Sequence, residues 1–435
     1  MRNLSRSPLL ACLLMTAGGS ASAQSLSKVE RQLAAHADAH VAEARSLLER
    51  AVNINSGTMN FEGVRRVGDL FRSELDALGF ATRWEDGSAF ERAGHLLGER
   101  GTRGPTVLLI GHLDTVFERD SPFQRYEMVA EDTARGPGVI DMKGGDVVMI
   151  QALKALAAAG LVDRLTIRVV FCGDEEDTGE PKSLARQALI QAARGADVAL
   201  GFEDADGSPE RIVVARRGTT YWTLQVTGTP AHSSLIFRDE IGPGAIYEAA
   251  RILNDFRERM TGEAYLTFSP GLMLGGTAAE LGQEHDRGTA SGKDNVVAGR
   301  VIVTGDLRTL SIEQREQAKA TMRAIVADSL PHTSAEMTFE DGYPPMALTE
   351  GNTRLLELYD RVSRDLGSGP VTAVDPSRAG AADVSFVAGI VPAIIDGLGL
   401  KGRDDHTVRE TADLATLPLQ IKRAAVLLAR LATSR

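Results

Sequence analysis

Four short segments concentrate side chains able to bind a metal or move a proton. In Gly111-His112-Leu113-Asp114-Thr115, His112 and Asp114 stand two apart, so on an extended backbone they face the same way. An imidazole ligand commonly gives its second N–H to a carboxylate, which fixes the tautomer and raises basicity. His112 as ligand with Asp114 as its orienter meets that need. Gly173-Asp174-Glu175-Glu176-Asp177 puts four carboxylates into five residues, which repel one another unless water or cations compensate them. Glu203-Asp204 follows Gly201-Phe202, and Asp141 sits in the glycine-rich run Gly138-Val139-Ile140-Asp141-Met142-Lys143-Gly144-Gly145. Either acid of the Glu203-Asp204 pair suits a metal, and Glu203 is preferred because it stands closer to the end of a strand.

The elements that must carry these segments are readable from periodicity. Val107 to Ile110 and Leu165 to Cys172 are apolar on both faces, as buried parallel strands are. Between them Val147 to Ala158 reads as a helix with Gly160 as its stop. Asp197 to Phe202 and Pro392 to Asp396 read as further strands, and Leu414 to Leu431 as a closing helix. Strand, helix, strand predicts an α/β sheet. In such sheets chemistry collects at the carboxyl ends of the strands, and that is where His112, the 173–177 loop and Glu203 fall. Position, more than composition, therefore favours a metal site over a solvated acidic loop.

A second texture begins near Arg216. Tyr221 to Thr227 alternates, with Trp222, Leu224 and Val226 on one face, which predicts a half-exposed antiparallel strand. A helix over 243–260, strands near Leu272 and over 295–308, and a helix over 312–330 complete a small α+β insertion.

Taken together, Gly111-His112-Leu113-Asp114-Thr115-Val116, the run from Ala134 to Gly145, and Gly173-Asp174-Glu175-Glu176 resemble the M20 family of zinc peptidases, nearest in look to its glutamate carboxypeptidase group. The resemblance implies an α/β zinc-peptidase-like core, with a mixed sheet flanked by helices, plus an inserted α+β lid and dimerisation domain. The expected divisions are 24–214 and 332–435 for the catalytic domain and 215–331 for the insertion. It implies two zinc ions, with cobalt or manganese as substitutes. Asp141 would bridge them, His112 and Glu203 would complete one site, and Glu176 and His406 the other. Glu175 would be the general base. A cis peptide is implied between Asp141 and Met142. His232, in Thr229-Pro230-Ala231-His232-Ser233-Ser234, would stabilise the oxyanion, commonly across a homodimer. Arg308 and Asn295 match residues that hold a substrate carboxylate, a task that suits the planar guanidinium fork. Arg211 and Arg378 are further candidates. Arg378 lies in Ser377-Arg378-Ala379-Gly380, where the family is usually glycine-rich, and this departure bears on glutamate specificity.

The expected reaction is amide hydrolysis by zinc-activated water, carboxypeptidase-like next to a free-carboxylate amino acid. An N-acyl-amino-acid deacylase or dipeptidase differs only on the acyl side. From another class, an exported solute-binding protein would have no use for Glu175 beside a bridging aspartate. A dinucleotide-binding reading fails, since no Gly-x-Gly-x-x-Gly joins a predicted strand to a helix. The formal charge of -11 disfavours nucleic acid and leaves a small-molecule or short-peptide substrate. Arg2 and Arg6, an apolar run from Leu9 to Ala17 and Ala21-Ser22-Ala23 predict a secretory signal over 1–23, hence a periplasmic or secreted protein without stable membrane insertion. Loss of Cys12 with that signal would leave Cys172 alone, excluding an intrachain disulfide.

Overall fold

The computed structural model describes residues 26–283 and 285–433; the expected signal at 1–23 lies outside them. A six-stranded sheet forms the centre, in spatial order Ala81–Asp86, Gly94–Arg100, Thr166–Cys172, Thr106–His112, Val198–Gly201 and Ile394–Ile395. The first two strands run antiparallel and the last four parallel. Alternation divides the core across the sheet. Val107, Leu109, Ile167 and Val169 pack with the helices Lys28–Ala39, Val41–Val52, Phe61–Ala77, Lys143–Ala158 and Thr416–Leu431. Leu108, Ile110, Val170 and Cys172 pack on the other face with Leu189 and Val384. Each such fully buried aliphatic contributes roughly 1.5–3 kcal/mol. No described helix is long and apolar enough to cross a membrane.

The helix after Asp141 begins at Lys143, earlier than its apolar run suggested. Gly144 and Gly145 look like breakers in sequence, but here they permit a close approach. A Cβ on Gly145 would lie 1.9 Å from Phe202 O. The helix start is thereby pressed against the strand end that carries Glu203.

The insertion is a four-stranded antiparallel sheet, in order Thr267–Gly276, Arg300–Thr309, Gly218–Gly228 and Thr333–Asp341. Trp222, Leu224 and Val226 point into a core made with helices Ala245–Met260 and Ile312–Ala327. Tyr221 faces outward. Two expectations need correction. The unit runs to Asp341, beyond the expected 331, because Thr333–Asp341 pairs with Gly218–Gly228. The strand expected from 295 begins at Arg300, and Asn295 sits in a turn before it.

Candidate metal centre

Three neighbouring parallel strands end at one edge. His112 closes the first, Glu175 and Glu176 follow Cys172, and Glu203 follows Gly201. Asp141 enters from the turn before helix Lys143–Ala158, and its peptide bond to Met142 is cis. His406 arrives on the loop between Gly402–Arg403 and Thr411–Asp413, with both Asp404 and His406 in the left-handed region. Asp and His are among the non-glycine residues that adopt this backbone most readily.

Asp141 is the hub. Its Oδ1 lies 3.1 Å from His112 Nε2, and its Oδ2 2.8 Å from His406 Nε2. Glu203 Oε1 is 3.7 Å from His112 Nε2, and Glu176 Oε2 is 3.2 Å from His406 Nε2. The donors of His112, Asp141 and Glu203 fall within 4.8 Å of one another, as do those of Asp141, Asp405 and His406. Asp405, not read as a ligand in the sequence, is exposed. Glu176 is the better third donor on that side, because its Oε1 is buried without a hydrogen-bond partner among the described residues. Such an orphan oxygen is costly unless a cation takes it. Carboxylate and imidazole are the donors a zinc-like ion accepts.

The electrostatics agree. Burial first, then repulsion from Asp141, pushes Glu176 up to about 7. Burial chiefly drives Glu175 and Glu203 well above the usual glutamate range. The hydrogen bonds to Asp141 and Glu176 lift His406 to about 11. Dications among these groups would reverse those tendencies by supplying the missing positive charge.

Each acidic loop is held through its backbone by another buried carboxylate. Asp114 accepts from Glu175 N and Glu176 N at 3.0 and 3.1 Å, and from Thr58 Oγ1 at 2.7 Å. Its carboxylate also faces His112 Nδ1 at 3.4 Å, so it serves as loop brace as well as orienter. Glu410 accepts from Gly138 N, Ile140 N and Asp141 N at 2.9, 2.9 and 3.2 Å. Asp396 accepts from Glu203 N at 3.2 Å. Nothing in the sequence marked Glu410 or Asp396, whose side chains are held, among the described residues, by main-chain amides and one remote arginine.

The substrate candidates are placed less uniformly. His232 is exposed, and its loop is joined to the Asn295 turn, with Ser233 N donating to Asn295 O at 2.9 Å. Neither residue contacts the acidic cluster among the described residues. Arg308 Nε pairs with Asp306 at 2.7 Å, both about a third exposed. Arg211 and Arg378 converge on the buried Asp206, at 2.7 and 3.2 Å. Their guanidinium groups pair there with that carboxylate, and both side chains keep exposed surface.

The model of peptidase family M20/M25/M40 matches residues 108–433, and the chain belongs to that family. Carboxypeptidase G2 of Pseudomonas sp. (strain RS-16) is 27% identical over 385 residues, covering 88% of this chain and 87% of the relative. Among solved structures, aminopeptidase PepT from Bacillus cereus superposes with a TM-score of 0.72 at 18% identity, covering 90% of this chain and 99% of that one. The YXEP protein of Bacillus subtilis, described as a dinuclear metal binding peptidase from the M20 family, gives 0.62 at 16% identity, covering 92% and 99%. The chain is accordingly a metallohydrolase acting on amide bonds.

Proposed function

We propose that the chain cleaves an amide bond next to an amino acid with a free carboxylate, using two zinc ions and Glu175 as general base. The observation that carries this is Asp141, which turns one oxygen to each of two histidines beside an acid that serves neither. His112, Asp141 and Glu203 would hold one ion, and Asp141, Glu176 and His406 the other. Bound there, such ions polarise a carbonyl and make water nucleophilic at neutral pH. Glu175 takes a proton from the attacking water and returns it to the departing amine as the C–N bond breaks. The general test is hydrolysis of a panel of N-acetyl amino acids and dipeptides after dialysis against chelator and readdition of zinc, cobalt or manganese. Equal rates before and after chelation, with no metal in the protein, would sink the proposal.

Arg308 and Asn295 read the substrate's carboxylate, and His232 closes over the scissile carbonyl. Because His232 and Asn295 are exposed and apart from the acidic cluster, a second copy of the chain supplies them in a homodimer, with the insertion acting as lid and dimerisation domain. Mixing Glu175→Gln subunits with His232→Ala subunits should therefore restore activity that neither variant has alone; no recovery would place His232 in its own subunit. Arg308→Ala should lower kcat/KM for a free acid about 10–100-fold but much less for the matching C-terminal amide, since a charge-assisted bidentate contact is lost only with the first. Equal losses on both would leave Arg308 a structural partner of Asp306. The exported form is proposed to start at Gln24, which intact mass of protein from the periplasmic fraction will decide.

A further inference from the structure

The chain crosses between core and insertion twice, over 215–219 and 342–346, and the crossings are hydrogen-bonded to each other. Arg216 and Met346 exchange both amide bonds at 2.9 Å. Thr219 N donates to Tyr343 O at 2.8 Å, Gly342 N to Thr219 O at 3.0 Å, and Tyr343 N to Thr219 Oγ1 at 2.9 Å. Two side chains run from this seam to the acidic loops. Tyr343 Oη donates to Glu175 O at 2.7 Å and accepts from Arg186 Nη2 at 3.0 Å, with its ring set edge-on against Phe386. Arg216 Nε and Nη2 hold Asp396 Oδ2 at 3.0 and 2.6 Å, and Asp396 Oδ1 accepts from Glu203 N.

What each strut fixes is a peptide plane, and through it the direction in which a functional carboxylate leaves the backbone. The phenol that holds Glu175 has its own main chain defined by the inserted sheet, whose strands end at Gly218 and Asp341. A shift of the insertion would therefore reach Tyr343 directly and the base one hydrogen bond later. Reaction geometry is sensitive at this scale, since a misplacement of about 1 Å can cost roughly 10²-fold in rate.

We infer that Tyr343 is a positioning residue that couples the placement of the insertion to the aim of Glu175, while Arg216 and Asp396 do the same for Glu203. The inference rests on Glu175 being the base. Tyr343→Phe keeps the ring and removes the donor. On whichever panel substrate is turned over fastest, kcat should fall about 10–100-fold while KM stays within about twofold and metal content is unchanged. Thr219→Ala loosens the seam from the inserted side and should cost kcat a smaller factor. The double variant should be no slower than Tyr343→Phe, because both losses act through one hydroxyl. A Tyr343→Phe enzyme with wild-type kcat, or losses that multiply in the double variant, overturns the coupling. Should Tyr343→Phe fail to fold, unchanged kcat in Thr219→Ala overturns it alone. Glu175→Gln run in parallel separates the two claims. If it abolishes turnover while Tyr343→Phe does not, only the coupling falls; if it keeps wild-type kcat, the base assignment falls and takes the coupling with it.

Discussion

Glu175→Gln will keep the metal content of the wild type and lose about 10²–10⁴ in kcat, the usual contribution of a positioned acid–base group. Glutamine preserves the side-chain volume, and the backbone contacts that place residue 175 remain, with its N–H on Asp114 and its carbonyl on Tyr343. The amide can neither accept the proton nor return it, so the loss isolates proton transfer from positioning. Glu176→Gln should behave in the opposite way, with metal content falling first, because Glu176 supplies both the oxygen near His406 and the buried orphan oxygen. Metal analysis of dialysed protein beside steady-state kinetics distinguishes the two. If Glu175→Gln stays within tenfold of wild type, the base must be sought elsewhere. Asp174 is already committed to Arg186 and Gly179, which leaves Asp177.

The places of His112, the 173–177 loop and Glu203 were legible because they follow from strand polarity. Two runs apolar on both faces end in His112 and in the 173–177 loop, and the structure lays those strands side by side with the strand before Glu203. The supports were not legible. Glu410, Asp396 and Tyr343 act on backbone amides or carbonyls, and such contacts impose no periodicity and no spacing on the sequence. Gly144 and Gly145 carried a misleading signal, since a glycine that permits close approach looks the same as one that breaks a helix. The boundary near 331 was misplaced for another reason. Ala335, Met337 and Phe339 do alternate, but they are only partly buried on an edge strand, so the pattern is short and weak.

Arg186→Met will lower the unfolding free energy by about 3–5 kcal/mol, the typical consequence of removing one member of a buried charge pair. Arg186 is fully buried, with Nη1 on Asp174 Oδ1 at 2.6 Å and Nε on Asp383 Oδ1 at 2.7 Å. Its Nη2 donates to Asp174 O, Thr178 Oγ1 and Tyr343 Oη. Methionine fills much of the same volume, so the cost comes from two carboxylates left without a countercharge more than from a void. That attribution can be separated from the loss of hydrogen bonds. Adding Asp174→Asn and Asp383→Asn to Arg186→Met removes the stranded charge and should recover about half of the lost stability. Urea unfolding at one fixed metal concentration is the measurement, since a metal that binds only the native state shifts the midpoint by mass action. A triple variant as unstable as the single one would assign the loss to packing and hydrogen bonds. Activity should not follow stability in this series. Even where the triple variant regains its fold, the Asp174 carbonyl and the Tyr343 hydroxyl have lost the Arg186 donor, so the loop bearing Glu175 keeps fewer of its braces and kcat stays below wild type.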